Sequence, residues 1–229
     1  SAANKLILAL NMIPAAISSS IYPAMSSAFA KGANTLARTY ARAHVYLLFL
    51  AFPMSAGIAL LAEQIVTLFY GPSYGPTAHA LVFLSPSLLF GFIMFPLGSL
   101  LAASNRQHVN TIIFGIAAVL NLVVNVVLIP QLFSSGSAIA SAISSTTIFL
   151  LSFIVTASLW KSERNFILLS FVKILLATAV MALVIVWVRN DLPLVGSILV
   201  GIGTYGVAVL VLRVIPREDF QKFIALTKR

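Results

Sequence analysis

The sequence predicts an all-α, polytopic membrane protein with about seven transmembrane helices. Three observations carry this reading. The 229 residues are 60% hydrophobic and only 8% charged, whereas a soluble domain carries about 25% charged residues. So few charges cannot cover a water-facing surface. Apolar runs recur seven times at close to the roughly 20 residues that a helix needs to span a bilayer. The basic residues behind the net charge of +9 sit mainly in the short gaps between these runs. That placement is the membrane pattern of cytoplasmic Lys and Arg, so it argues against a nucleic-acid partner.

The spans are expected at about 5–28, 45–69, 77–103, 109–131, 136–159, 166–188 and 192–212. The successive gaps and the tail carry 3, 0, 1, 0, 2, 1 and 5 basic residues. Rich and poor gaps alternate, which puts the rich ones and the C-terminus in the cytoplasm and the N-terminus outside. The charge-free gap "YGPSYGP" (70–76) is then an outer hairpin. Its glycines and prolines end both flanking helices, and Tyr70 and Tyr74 suit the headgroup belt. Ser1 opens directly into an apolar stretch, with no initiator Met and no signal-peptide pattern. The expectation is a fragment whose first lobe is missing. The basic tail 213–229 reads as an amphipathic surface helix, with Phe220, Phe223 and Ile224 toward the cytoplasmic leaflet.

Prolines 14, 23, 53, 86 and 96, with Gly57, Gly91 and Gly98, fall within or near the ends of spans. Each proline removes a backbone hydrogen bond and favours a kink. Transporters place such breaks beside cavities. Small residues recur at every fourth position in span five, as Gly136, Ala140 and Ser144 and as Ser137, Ser141 and Ser145. Close helix packing is the first reading of these stripes, and a polar pathway along the serines is the second. In span four, Asn121 and Asn125 share a face. An interhelical hydrogen bond is the first reading there, and a water-facing position the alternative.

No catalytic chemistry is visible. The acids Glu63, Glu163, Asp191, Glu218 and Asp219 lie at span ends, in loops or in the tail. His44, His79 and His108 stand apart from one another. There is no cysteine, no metal-ligand spacing and no phosphate-binding loop. The reading is therefore no enzyme, no cofactor and no metal. Lys173 lies about two turns into span six and can snorkel to the cytoplasmic surface. Asn4, Lys5 and Asn11 fall on one face at the start of span one. A cation there can face a cavity for an anionic substrate, or anchor a helix end at the interface.

Several stretches resemble one family. They are "IPAAISSSIYPAMSSAFAKG", "YARAHVYLLFLAFPMSAGIALLAEQIVTLFYGPSYGPTAHAL", "LAASNRQHVN" and "LIPQLFSSGSAIASAIS". In order and spacing they resemble the C-terminal half of polysaccharide-biosynthesis flippases. These belong to the multidrug/oligosaccharidyl-lipid/polysaccharide exporter superfamily. The likeness covers about residues 1–160, and Ser137 departs mildly from the family's Ala or Gly. It implies spans eight to fourteen of a fourteen-helix flippase, with 1–160 as the five-span lobe core, 161–212 as two additional spans and 213–229 as a cytoplasmic tail. It further implies alternating access that moves a lipid-linked oligosaccharide, on an undecaprenyl pyrophosphate carrier, across the cytoplasmic membrane. The partners implied are membrane lipids, that substrate, the missing N-terminal lobe and a candidate polysaccharide polymerase. The resemblance marks Asn4, Lys5 and Asn11, with Arg106 as a weaker addition, as cavity residues. The alternatives are a cation-coupled multidrug exporter or a lipid II flippase of the same superfamily, or a non-transport membrane subunit.

Overall fold

A computed structural model of the chain describes residues 2–71, 74–132 and 134–214. The expected surface helix of the tail falls almost wholly outside the described residues. Eight α-helices follow in order: α1 (Ala2–Ala30), α2 (Ala33–Leu60), α3 (Ala62–Tyr70), α4 (Gly75–Ala103), α5 (Gln107–Leu132), α6 (Ser134–Thr156), α7 (Arg164–Val188) and α8 (Leu194–Leu212). All but α3 are long and apolar enough to cross a membrane, giving seven candidate spans among the described residues.

The outward faces confirm which solvent the chain is built for. On α5, Phe114, Val119, Leu122 and Val126 are each more than half exposed. In water such a face would be an aggregation surface. In lipid it is the ordinary exterior of a spanning helix, and the helix satisfies its own backbone.

Span two differs from the expected 45–69. Its helix begins at Ala33, so Arg38 and Arg42 belong to the first turns of α2 rather than to a loop. Only the turn at Lys31 and Gly32 separates α1 from α2. The apolar run hid this start because a helix continues into water on its own hydrogen bonds. The far end is divided at Leu61, which adopts φ −104° and ψ 12°. The helices run through Pro14, Pro23 and Pro53, so the break in span two falls past the proline rather than at it.

Turn chemistry explains the other ends. Gly71 closes α3 at φ 86°, where a Cβ would be strained, and its N–H bonds the Thr67 carbonyl. After α4, Asn105 takes φ 60°, with Arg106 N–H on the Leu101 carbonyl and Asn105 N–H on that of Ala102. This is a Schellman ending with Asn in the glycine position. Arg213 ends α8 in the same manner at φ 49°.

The chain divides into two compact units. One comprises residues 1–13, 44–92 and 165–229, the other 14–43 and 93–164. This division groups α7 and α8 with the middle of the chain. In the first unit, Tyr205 Oη of α8 donates to the Phe49 carbonyl of α2 at 2.8 Å, and the two rings meet tilted by 46° with centroids 5.3 Å apart. Phe52 meets Phe171 edge-on at 5.5 Å. In the second unit, α5 packs along α6. Gly136, Ala140 and Ser144 are buried at every fourth position. A Cβ on Gly136 would lie 2.6 Å from the Leu128 carbonyl oxygen, so only glycine permits this approach.

Candidate functional site

The sequence-derived residues are dispersed. Asn4, Lys5 and Asn11 lie on α1 and Ser137 on α6, but their side chains are outside the described set. Arg106 is exposed at the turn between α4 and α5, where its carbonyl accepts the N–H groups of Val109 and Asn110. The two small-residue stripes of α6 separate. Gly136, Ala140 and Ser144 are buried, while Ser141 and Ser145 are exposed.

Asn121 and Asn125 bond each other along their own helix, with Asn125 Nδ2 donating to Asn121 Oδ1 at 2.8 Å. The sequence reading placed an interhelical bond here first; the structure shows a bond along α5 between the two amides. One helical turn is the shortest path between two amides on one face. Asn125 Oδ1 is buried without a protein donor.

Lys173 reaches from α7 to an exposed partner at the end of α8. Its Nζ donates to the Arg213 carbonyl at 3.1 Å, at the C-terminus of α8. That end carries partial negative charge and unpaired carbonyls, so a cation is favoured there.

Among the described residues each unit holds a cavity. The cavity of the second unit has a volume of about 690 Å³ and is lined by Ser19, Tyr22, Ser99, Asn110, Phe114 and Ser152 among others. None of its lining residues is charged. Small residues on α4 leave this space open, and a Cβ on Gly98 would come no nearer than 4.0 Å to Asn110 Nδ2.

The cavity of the first unit, about 560 Å³, lies where the α2/α3 break meets the start of α4 and the α7–α8 loop. Glu63, Gln64, His79, Arg189 and Asn190 line it. A reciprocal clasp fixes its wall. Gln64 Nε2 donates to the Arg189 carbonyl and, at 3.3 Å, to that of Leu192. Arg189 Nη1 donates back to the Leu60 carbonyl at 3.3 Å, beside the helix break. In sequence Glu63 and His79 are isolated residues at span boundaries, and Gln64 carries no motif. A residue separation of 125 between Gln64 and Arg189 leaves no local signal of the clasp.

Among the described residues no cluster of His, Cys, Asp or Glu could hold a metal ion. Among the described residues, seven helices long and apolar enough to cross a membrane define a multi-pass α-helical membrane protein. Residues 2–202 match the family model described as "Lipid II flippase MurJ", and the chain belongs to that family. The family is one of transporters, not enzymes, and its work is the flipping of lipid-linked precursors across a membrane. It lies within the superfamily that the sequence motifs indicated. Within that superfamily the match falls on the lipid II flippases, which sequence analysis held as an alternative to the polysaccharide flippases. No curated protein and no solved structure matches the chain.

Proposed function

We propose that this chain moves lipid II, a saccharide on a polyprenyl pyrophosphate carrier, from the inner to the outer leaflet of a bacterial cytoplasmic membrane. The family match over residues 2–202 is the observation that carries this reading. Movement is by alternating access, with these seven spans acting as one lobe of a pair. The alternation of basic and charge-free gaps supports an outer start of α1 and a cytoplasmic end of α8. Lys5, flanked by Asn4 and followed two turns on by Asn11, is the cation proposed to meet the pyrophosphate.

The motif resemblance favours a second substrate, an oligosaccharide on the same carrier for surface polysaccharide. Two hosts separate the substrates. The full-length protein is expressed in cells depleted of their own lipid II flippase, and in cells lacking a polysaccharide flippase. The expected result is rescued growth in the first host and no restored polysaccharide in the second. Restored polysaccharide without rescued growth would overturn the assignment. Lys5→Ala at equal protein level is expected to abolish rescue, and full rescue by this variant would make Lys5 an interfacial anchor.

A further inference from the structure

The cavity at the α2/α3 break has a composition that the transport path alone does not explain. It brings together a carboxylate, an imidazole, a guanidinium and two amides, from Glu63, His79, Arg189, Gln64 and Asn190. Glu63, His79, Arg189 and Asn190 are all exposed and so free to meet a ligand. Gln64 commits its amide nitrogen to two carbonyls, and its Oε1 is left without a protein donor. The volume of about 560 Å³ falls in the range of small-molecule sites.

We propose that this cavity binds the saccharide of the lipid-linked precursor, at the membrane face where α3 meets α4 and α7 meets α8. The inference rests on the flippase reading above and adds a second contact point for its substrate. Charge selects sugar over phosphate. Arg189 shares the cavity with the carboxylate of Glu63, and one guanidinium donor already serves the Leu60 carbonyl. A polyanion would meet the carboxylate, whereas a neutral polyhydroxyl ligand can donate to Glu63 and accept from Arg189 and Asn190. The wall is fixed before binding, because the clasp ties the α2/α3 break to the α7–α8 loop. Less conformational freedom is then lost when a ligand binds. By the charge series this is the outer face, where a flipped head group leaves the protein.

The test uses the full-length protein in nanodiscs, titrated with the neutral disaccharide diacetylchitobiose and separately with inorganic pyrophosphate, and read by saturation-transfer NMR. Glu63→Gln and His79→Ala change exposed side chains and leave the clasp intact. The disaccharide is expected to bind and pyrophosphate not to displace it. Each variant is expected to weaken binding about fivefold, the size of one lost hydrogen bond. The double variant is expected to slow rescue in the flippase-depleted host. The proposal is overturned by absent or unweakened sugar binding, or by displacement with pyrophosphate. It is also overturned if the double variant binds weakly yet rescues like the wild type, which would assign the cavity to a free glycan. Sugar binding that fails while wild-type rescue persists removes the cavity and leaves the flippase function standing.

Discussion

Glycine 136 shows how much can rest on one missing methyl group. An added Cβ would sit 2.6 Å from a backbone oxygen of α5, and backbone cannot step aside cheaply. Gly136→Ala should therefore destabilise the α5–α6 pair by about 2 kcal/mol, the typical cost of overpacking. A clear drop in melting temperature in detergent is the expected readout, and an unchanged value would mean the two helices do not approach this closely. Tyr205→Phe tests a gentler contact. It removes the bond to the Phe49 carbonyl while keeping the ring against Phe49. The expected loss is about 0.6 kcal/mol, the average for such bonds in membrane bundles, read by unfolding in mixed micelles. The Gly136 stripe was legible in sequence because i, i+4 repetition of small residues is a local pattern. The Tyr205 contact was not, because its partner lies 156 positions away.

Helix ends and breaks are where sequence reading and structure part. The seven spans were legible because length and hydropathy suffice to define them. The α2 start at Ala33 was missed because charged residues extend a helix beyond the lipid without ending it. The break at Leu61 has no proline to mark it in sequence, and the clasp from Arg189 and Gln64 beside it is non-local. Gln64→Leu removes both donations to the α7–α8 loop. Faster hydrogen exchange is expected at residues 189–192 in that variant, and wild-type rates there would contradict the clasp. Lys173 makes a matching case at the other end of α8. Lys173→Met should leave the Arg213 carbonyl without its cation and speed exchange across the last turn of α8, whereas Lys173→Arg should largely preserve protection. Equal exchange in both variants would make Lys173 a snorkelling side chain with no capping role.

At the scale of the whole chain, composition alone named the solvent, and motif order named the superfamily. The particular substrate was less legible, because the flippases of that superfamily share their helical plan and differ in side chains spread over many spans. Asn121 and Asn125 share a face by sequence spacing and pair along that face in the structure. The loop-end cavity assembles from three separate stretches of sequence and could not be seen in any one of them. The most direct test of the central claim is rescue of growth by the full-length protein in a bacterium depleted of its lipid II flippase. It is scored beside the accumulation of unflipped lipid II in the inner leaflet. The account predicts restored growth together with loss of that accumulation. Correctly inserted protein that leaves lipid II accumulating and growth arrested would contradict it.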